Sequence, residues 1–319
     1  MTKCLITGGA GFIGSHLVEA CLEKGFEVLV VDDLSTGRTE NLPLDHPHLD
    51  FFRGDIRDRA LLENIVSSNS DIDYIFHLAA IASVIRSMEE PVFTHEVNYQ
   101  GTLYLLEGFR GKGVKKFVFA SSAAVYGDTP TMPLKEEYLP RPQSPYGADK
   151  LAGEHLLKIY NDAFNEPTVA CRFFNVFGER QDPSSPYSGV ISIFFDRAFD
   201  KKRGGDSFIT IFGDGEQTRD FIYVKDVVSA LLHVALDNNI RGEVFNVGYG
   251  KKTTVLDLVK KIKALLKIDL QTRFENPREG EARHSQADIG KLNSSGFVFS
   301  HDFDIGLLNL AQWLDKHER

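Results

Sequence analysis

The amino-acid sequence predicts an α/β protein built on a doubly wound parallel sheet, and two repeated patterns carry this prediction. Short runs rich in Val, Ile and Phe end in Gly, Asp, Ser or Asn, which is typical of buried strands. Amphipathic stretches such as residues 14–25 lie between these runs, with short connections on either side. Strands that alternate with helices in this way form a parallel sheet that helices cover on both faces.

Six strands are predicted in the first part of the chain. They lie at residues 3–9, 27–33, 49–55, 73–80, 115–122 and 168–175. Residues 178–189 are rich in Pro, Ser and Gly and predict a long loop, which in a compact domain is usually functional. We therefore predict a domain boundary here, between residues 1–176 and 177–319. Strands at 208–215 and 242–248 and a helix at about 226–237 predict that the later part is also α/β.

Composition narrows the class of protein. The chain has 319 residues, a net charge of −9 and no long apolar run, which argues against a nucleic-acid binder and against a membrane span. The N-terminus enters a strand-like stretch at once, without the pattern of a signal peptide. Cys4, Cys21 and Cys171 are widely separated in apolar surroundings, which indicates buried thiols and no metal site. We expect a cytoplasmic protein without a metal.

The first motif with chemical meaning is TGGAGFIGSH, which places glycines at 8, 11 and 14 between a strand and a helix. Gly8 permits a tight turn, Gly11 lets the backbone approach a pyrophosphate, and Gly14 lets helix and strand pack closely. The helix N-terminus supplies amides for the phosphates. A glycine pattern alone is weak evidence, because glycines also mark ordinary turns.

An acidic residue strengthens this interpretation. Asp32 ends the second predicted strand, about 18 residues past Gly14, close to the spacing expected for an acid on the adenosine ribose. A carboxylate there accepts hydrogen bonds from ribose hydroxyls and repels a 2′-phosphate, so NAD is favoured over NADP. Asp55 and Ile56 follow the third strand and are expected near the adenine. The sequence thus predicts a Rossmann sheet that binds NAD.

Tyr146 and Lys150 form the second motif, four residues apart at the start of a predicted helix. This spacing puts both side chains on one helix face, and the helix follows a strand whose carboxyl end carries Ser122. An ammonium near a phenol favours the phenolate, so we expect the pKa of Tyr146 to be lowered toward that of a working base. Ser122 is expected to share the proton. A Tyr and a Lys at this spacing are more often surface residues without a catalytic role. In a chain that also carries a dinucleotide motif, the pair predicts general acid–base chemistry.

Several motifs together carry a family resemblance that runs in order along nearly the whole chain. They are TGGAGFIGSH, DIDYIFHLAA, SSAAVYG, SPYGADKLAGE, RFFNVFG, TRDFIYVKDV and VFNVG. With them the chain resembles the extended short-chain dehydrogenase/reductase family, and within it the nucleotide-sugar epimerases. The resemblance implies an NAD-binding Rossmann domain, a smaller C-terminal α/β domain for a UDP-sugar, and a returning segment at about 221–248 that adds to the first domain. It also implies a homodimer formed through a helix bundle.

The resemblance further implies roles for individual residues. Tyr146 matches the base, Lys150 the residue that binds the nicotinamide ribose, and Ser122 the proton-relay hydroxyl. The implied cofactor contacts are Gly8, Gly11, Phe12, Ile13, Asp32, Asp55, Ile56, Ala79, Asn98, Tyr146, Lys150 and Phe174. The implied substrate contacts are Ser122, Tyr146, Asn175, Phe212, Arg219, Arg278 and Ser285. Among these, Arg219 and Arg278 match a diphosphate clamp, which suits guanidinium forks, although two surface salt bridges would leave the same pattern.

The expected reaction depends on what stands beside the base. The related dehydratases and some decarboxylating relatives carry an acid just before the VYG segment, where this chain has Ala123 and Ala124. Without that carboxylate, elimination of water lacks a partner, and reversible oxidation at C4 of a UDP-hexose through a 4-keto sugar is left. A UDP-glucuronate 4-epimerase or related decarboxylase stays open as an alternative. So does a non-catalytic module that binds NAD and a nucleotide sugar.

The expected sugar depends on Ser285, in a segment that resembles the diphosphate clamp of these epimerases. Epimerases restricted to glucose and galactose commonly carry a bulky aromatic residue at the equivalent place, near C2 of the sugar. A serine leaves room for a 2-acetamido group, so UDP-N-acetylglucosamine and UDP-N-acetylgalactosamine are the expected substrates, with possible activity on UDP-glucose and UDP-galactose. An ordinary exposed loop serine is the alternative. Ala82 stands where some UDP-galactose epimerases have a lysine near the cofactor, so the strength of NAD retention stays open.

Overall fold

The computed structural model describes residues 1–69, 71–183, 189–277 and 282–317. The chain forms two compact units. Unit 1 comprises Met1–Gly127, Leu139–Phe173 and Val228–Phe245, and unit 2 comprises Asp128–Tyr138, Phe174–Val227 and Asn246–Arg319. The assignment of NAD to the first unit and of a UDP-sugar to the second stays a prediction.

Twelve strands lie in the described part of the chain. They are β1 (Lys3–Thr7), β2 (Glu27–Asp32), β3 (Leu49–Arg53), β4 (Tyr74–His77), β5 (Lys116–Ser122), β6 (Thr168–Phe173), β7 (Asn175–Phe177), β8 (Ile209–Phe212), β9 (Thr218–Tyr223), β10 (Glu243–Val247), β11 (Lys252–Thr254) and β12 (Thr272–Glu275). A seven-stranded sheet has the order β10-β6-β5-β4-β1-β2-β3. Parallel pairing joins β1 to β2 and β4, β2 to β3, β4 to β5 and β5 to β6. The strand order reverses between β1 and β4, as in doubly wound Rossmann sheets, so the predicted fold class is confirmed.

Eleven α-helices connect these strands within the described ranges. They are α1 (Phe12–Glu23), α2 (Arg59–Ser68), α3 (Val84–Glu89), α4 (Pro91–His95), α5 (Gly101–Phe109), α6 (Pro145–Phe164), α7 (Val190–Lys202), α8 (Val224–Leu236), α9 (Val255–Leu266), α10 (Gly290–Ser294) and α11 (Phe303–His317). Short 3-10 helices lie at Thr39–Asn41 and Ala123–Tyr126, and a π-helical turn at Glu96–Gln100 joins α4 to α5.

The sheet of unit 1 is buried on both faces. One face carries a core in which Leu5 and Phe119 pack with residues of α2, α5 and α6. Alternate residues point to the opposite face of a strand, and there Ile6, Val30 and Val118 are also buried. Burial on both faces explains why the strands are nearly continuous apolar runs in the sequence. Polar side chains stand at several strand ends, among them Thr7 in β1, Asp32 in β2 and Ser122 in β5.

Helix α6 is held close to β5 by its sequence. Ser144 caps its N-terminus by accepting a hydrogen bond from the amide of Gly147 at 3.1 Å, and Pro145 occupies the first turn. Farther along, a Cβ placed on Gly153 would lie 2.6 Å from the ring of Phe119, so only glycine allows this approach. The helix therefore presents its first two turns at the carboxyl end of β5.

Unit 2 contains a three-stranded sheet, in the order β11-β9-β7, and a parallel pair of β8 and β12. The buried carboxylate of Asp220 in β9 accepts hydrogen bonds from the amides of Tyr249 at 2.7 Å and of Gly250 and Ala287 at 2.9 Å. Burial raises the pKa of Asp220 to about 6. One side chain thus ties two later segments to β9. None of the helices in the described ranges has the length and apolar character needed to cross a membrane.

Candidate active site

The structure brings Ser122, Tyr146 and Lys150 together in unit 1. Ser122 is the last residue of β5, and its hydroxyl hydrogen-bonds to the phenol of Tyr146. The Ser122 oxygen also accepts a hydrogen bond from the amide of Ala124 at 3.1 Å, which orients the hydroxyl. The Nζ atom of Lys150 lies 5.9 Å from the centroid of the Tyr146 ring and 4.8 Å from that of Phe119. Base, relay and ammonium are therefore neighbours, although they are separated in sequence.

Burial controls the protonation of this group. Burial raises the pKa of the Tyr146 phenol above its ordinary value, while the hydrogen bond from Ser122 opposes the rise. Burial also lowers the pKa of Lys150 to about 8, with the carboxylate of Asp149 opposing the change. The expectation that Lys150 lowers the pKa of Tyr146 below its ordinary value is therefore wrong for this structure. Loss of hydration disfavours both charged forms, and here it outweighs the neighbouring charge.

A buried ion pair that the sequence reasoning missed supports the site. Glu154 lies one further turn along α6, and it accepts hydrogen bonds from Arg172 Nε at 2.9 Å and Nη2 at 2.7 Å. The hydroxyl of Ser121 donates to the same carboxylate. The Arg172 guanidinium lies 4.7 Å from the ring centroid of Tyr126. A buried charge is tolerated when it is paired in this way. The i, i+4, i+8 spacing of Tyr146, Lys150 and Glu154 was the available signal.

The glycine motif forms a turn with no room for side chains. Gly8 has a φ of +73°, and a Cβ placed there would lie 2.7 Å from the amide nitrogen of Ala79. A Cβ on Gly14 would lie 2.1 Å from the Gly8 carbonyl oxygen. Helix α1 begins at Phe12 after Gly11, continues through Ile13, and carries no side-chain cap from any described residue. An uncapped helix N-terminus beside a bare backbone fits a dinucleotide pyrophosphate.

Asp32 lies at the carboxyl end of β2, and it is buried beside this turn. Its Oδ2 atom accepts a hydrogen bond from the amide of Ala10 at 2.9 Å, and its Oδ1 atom accepts one from Leu34 at 2.8 Å. Burial raises the pKa of Asp32, while these two bonds oppose the rise. Each carboxylate oxygen keeps a second lone pair. The residue is therefore oriented to accept hydrogen bonds from ribose hydroxyls.

Asp55 and Ile56 follow the end of β3, and their side chains have different surroundings. Arg57 holds the Asp55 carboxylate through Nη2 at 2.6 Å, and this partner lowers the pKa of Asp55. Arg57 also pairs with Glu96 at 3.1 Å, a link that the sequence did not indicate. The side chain of Ile56 is buried in the core of unit 1. Ile56 can therefore offer a ligand its backbone alone.

Ala79 and Asn98 lie on two segments that meet near the glycine turn. Ala79 follows β4, and its backbone lies where a Cβ on Gly8 would have to be. Asn98 lies in the π-helical turn, and its side chain pairs with the backbone of Ile81, accepting from the amide at 2.8 Å and donating to the carbonyl at 3.1 Å. The glycines, Asp32 and these segments all lie in unit 1 and fit NAD. Phe174, also predicted to contact NAD, is buried at the start of a segment of unit 2.

Unit 2 contains a pocket of about 430 Å³. It is lined by Phe212, Gly213, Asp214, Gln217, Arg219, Glu275, Asn276, Pro277, Ala282 and Arg283. The pocket thus brings together Phe212 and Arg219, as the sequence analysis expected, and it adds Arg283. Arg283 pairs with Asp214 at 2.6 Å, and both are exposed.

Asn175 and Ser285 lie in unit 2 but are not part of this lining. Asn175 donates a hydrogen bond to the carbonyl of Asp220 at 3.2 Å. The amide of Ser285 donates to the carbonyl of Thr218 at 3.1 Å, which sets Ser285 beside β9, two residues after Arg283. Arg278 lies outside the described residues. Among the residues that the structure describes, no cluster of His, Cys, Asp or Glu is arranged to hold a metal ion.

The chain is similar in sequence and structure to several proteins named as UDP-sugar 4-epimerases. A UDP-glucose 4-epimerase from Mycolicibacterium smegmatis is 38% identical over 289 residues, covering 90% of this chain and 90% of the relative. The structure of a UDP-N-acetylglucosamine 4-epimerase from Methanobrevibacter ruminantium, in complex with UDP-N-acetylmuramic acid, matches with a TM-score of 0.92 and 39% identity over 98% of both chains. A UDP-glucose 4-epimerase from Thermotoga maritima, solved with UDP-glucose, matches with a TM-score of 0.92 and 38% identity over 100% of both.

The family model that matches residues 4–248 describes the NAD dependent epimerase/dehydratase family. The match spans the glycine turn, Asp32, the Ser122–Tyr146–Lys150 group and most of unit 1. It confirms the predictions of the family, of an enzyme and of NAD as its cofactor. On these grounds the chain belongs to the NAD dependent epimerase/dehydratase family.

Proposed function

We propose that this protein catalyses the reversible 4-epimerisation of a UDP-hexose. The observation that carries the proposal is the hydrogen bond between Ser122 and Tyr146, with Lys150 beside the phenol. A phenol that can lose its proton next to a bound nicotinamide is suited to oxidise an alcohol. Ala123 and Ala124 stand where an acid for elimination would be needed, which favours epimerisation over dehydration.

The side chains divide the proton chemistry between them. Tyr146 accepts the proton of the C4 hydroxyl and later returns it, and the Ser122 hydroxyl stabilises the phenolate by donating a hydrogen bond. Lys150 remains charged at neutral pH, because its pKa of about 8 lies above 7, and its charge favours the phenolate. NAD, held by the glycine turn and Asp32, would supply hydride transfer from C4 and back to its opposite face. No external redox partner is needed, since the cofactor ends as it began.

We assign the UDP part of the substrate to the pocket of unit 2. Phe212 offers an aromatic face to a uracil ring, and Arg219 offers a guanidinium to the diphosphate. Arg283 is a second cation in the lining, partnered by Asp214 across an exposed ion pair. Exposed pairs of this kind contribute little stability, so a diphosphate can compete for the guanidinium at small cost. Asn175 and Arg278 are assigned to the diphosphate from the family resemblance.

We further propose that N-acetylhexosamines are the main substrates. Ser285 supports this, because its small side chain leaves volume where a bulky aromatic residue would crowd a 2-acetamido group. The related protein from Methanobrevibacter ruminantium, named a UDP-N-acetylglucosamine 4-epimerase, also supports it. UDP-glucose and UDP-galactose lack the acetamido group and would fit in the same space, so we expect activity on them as well.

We also propose a homodimer that acts in the cytoplasm. Four apolar side chains on α3 and α4, Val84, Ile85, Met88 and Val92, are between 47% and 72% exposed, which supports an interface between copies. Buried free thiols at Cys4, Cys21 and Cys171 are compatible with a reducing compartment. Sedimentation equilibrium of the wild type and of a Met88→Glu, Val92→Glu variant tests the dimer. A wild-type monomer would contradict it.

Incubation with separate UDP-sugars, followed by chromatography, tests the proposed reaction. UDP-glucose, UDP-galactose, their 2-acetamido counterparts and UDP-glucuronate form the panel, and Tyr146→Phe protein is the control. We expect 4-epimers of the neutral sugars, with the highest kcat/KM for the acetamido pair. Turnover of UDP-glucuronate alone would favour the uronate alternative. Binding of NAD and UDP-sugars without any turnover would favour the non-catalytic module.

A further inference from the structure

A chain of buried hydrogen bonds crosses unit 1 from one predicted cofactor segment to another. It runs through Thr7 at the end of β1, His77 at the end of β4 and Thr102 in α5, all of which are buried. Thr7 Oγ1 lies 2.7 Å from His77 Nδ1, and Thr102 Oγ1 lies 2.9 Å from His77 Nε2. Neither the proposed proton transfer nor the proposed substrate pocket uses these groups.

The groups at the two ends of this hydrogen-bond network determine which of its atoms carry the protons. The Thr102 hydroxyl donates to the carbonyl oxygen of Asn98 at 2.6 Å, and a carbonyl can only accept. Because Thr102 has a single hydroxyl proton, the bond between Thr102 and His77 must be donated by His77 Nε2. A neutral imidazole carries one N–H, so Nδ1 accepts, and the Thr7 hydroxyl donates to it. The Thr7 oxygen in turn accepts from the amide of Ala79 at 3.3 Å.

The environment of the ring agrees with this arrangement. His77 lies beside the rings of Phe117 and Phe119 on the neighbouring strand β5, with centroid distances of 6.0 and 5.7 Å. Burial, assisted by the charge of Lys150, lowers the pKa of His77 to about 3, so the ring is neutral over the physiological range. Each of its two nitrogens then has one partner, which satisfies a buried polar side chain completely.

The hydrogen-bonded chain adds a second link between two segments that the Asn98 side chain already joins through Ile81. At one end is Ala79, whose backbone packs on Gly8. At the other end is Asn98 in the π-helical turn, where the regular i, i+4 ladder is interrupted and the Asn98 carbonyl accepts a hydrogen bond from the Thr102 hydroxyl. The Asn98 amide group then clamps Ile81, two residues after Ala79.

We infer that His77, fixed as the Nε2–H tautomer, is a positioning residue that holds the loop after β4 and the π-helical turn in the geometry that binds NAD. This inference rests on the proposed assignment of Ala79 and Asn98 to the cofactor site. It adds a residue that touches neither substrate nor cofactor and acts through its two threonine neighbours. The signal in the sequence is the histidine that precedes Leu78 and Ala79 in the segment DIDYIFHLAA.

Nuclear magnetic resonance of the holoenzyme tests the tautomer directly. In protein labelled with ¹⁵N-histidine, the His77 ring should show a protonated Nε2 and an unprotonated Nδ1, without titration between pH 5 and 8. The His77→Phe spectrum identifies the signal by its absence. An Nδ1–H tautomer, or a ring that titrates in this range, would overturn the inference.

The release of NAD from the holoenzyme tests the positioning role. Thr102→Val and Thr7→Val keep the side-chain shape but remove the hydroxyl, and we expect NAD to dissociate about tenfold faster, as loss of one net hydrogen bond implies. Thr102→Ser and Thr7→Ser keep the hydroxyl and should release NAD within about twofold of the wild type. Ile65→Val, in the buried core of unit 1, controls for a general loss of stability. Equal release from the Val and Ser variants, or from Ile65→Val, would refute the inference.

The test of His77 can be interpreted independently of the test of the proposed reaction. NAD release and the tautomer are measured without a sugar, so they keep their meaning if no UDP-sugar is epimerised. Binding of UDP alone, which we assign to unit 2, should be unchanged in the threonine variants. Suppose that the wild type turns over UDP-sugars and that the Thr7→Val and Thr102→Val variants release NAD at the wild-type rate. This result would refute the role of His77 and leave the proposed reaction intact.

Discussion

Replacing Lys150 by Met should inactivate the enzyme and at the same time stabilise the NAD-free protein at neutral pH. Lys150 is 3% exposed, and burial lowers its pKa from 10.5 to about 8. At about 1.4 kcal/mol per pKa unit, that difference corresponds to about 3 kcal/mol of unfavourable burial of the charge at pH 7. Met has a similar length and no charge, so it removes this cost.

The expected gain in the free energy of unfolding is the cost of burying the charge, reduced by the loss of two cation–π contacts. The cation–π contacts with Phe119 and Tyr146 are lost in the variant, at about 0.5–1 kcal/mol each. We therefore expect the free energy of unfolding at pH 7 to rise by about 1–2 kcal/mol, the remainder of the burial term after these losses. Activity should fall by about 10²–10⁴-fold, as for other groups that support proton transfer. Any residual activity should have its pH profile shifted upward, since the phenolate loses its neighbouring charge.

The way stability changes with pH follows from proton binding at Lys150. Between pH 8 and 10.5 the folded wild type binds fewer protons at Lys150 than the unfolded chain does, so wild-type stability rises with pH across this window. The advantage of the Lys150→Met variant should therefore be largest near pH 7 and should disappear as pH approaches 10. Below pH 8 the lysine is charged in both states, and the difference between the two proteins should be constant.

Denaturant titration of NAD-free protein at pH 7 and pH 9.5 measures this difference. NAD must be removed first, because a ligand that binds the folded state adds its own stabilisation. Lys158→Met is the matched control on the same helix, since Lys158 is 60% exposed and pairs with Asp162. The control should show no pH-dependent gain. A Lys150→Met protein that is less stable than the wild type at pH 7, or equally shifted at both pH values, would refute the reasoning.

Three further predictions concern single side chains. Tyr146→Phe should reduce turnover by about 10²–10⁴-fold while the protein still binds UDP, and near-normal rates would show that the phenol is not the base. Asp32→Ala should lower the amount of NAD that co-purifies with the protein, because a charge-assisted hydrogen bond to the ribose is lost, whereas recovery of NADP from the wild type would contradict the role of Asp32. Ser285→Tyr should lower the ratio of kcat/KM values for acetylated over plain UDP-sugars by at least about tenfold, or about 1.4 kcal/mol. Equal losses on both kinds of sugar would indicate general disruption, and no loss on either would place Ser285 away from the sugar.

Local patterns in the sequence were sufficient to predict the sheet. The first five strands of the seven-stranded sheet each end in a polar residue, and the alternation of apolar runs with helices indicates parallel pairing. Ser122, Tyr146 and Lys150 were predictable for the same reason. One ends a strand, and the other two share a helix face that opens at the same edge of the sheet.

Features that depend on tertiary contacts were not predictable. The pKa of Tyr146 is raised because the folded protein removes water from the phenol, and no sequence pattern states how much burial a helix will give. The Glu154–Arg172 pair joins residues 18 positions apart, and the Thr7–His77 bond joins residues 70 positions apart. Such bonds follow from strand order and helix packing, so they became visible only in the structure. The place of Arg283 in the lining of the unit 2 pocket was missed for the same reason.

Chromatographic analysis of 4-epimers tests the central claim most directly. Purified protein is incubated with UDP-N-acetylglucosamine or UDP-N-acetylgalactosamine, without added oxidant or reductant, and the mixture is followed to equilibrium. We predict that both substrates give the same final mixture, and that Tyr146→Phe protein at equal concentration lags by about 10²–10⁴-fold. Recovery of unchanged acetamido and plain UDP-sugars from the wild-type protein, with NAD bound throughout, would contradict the proposed function.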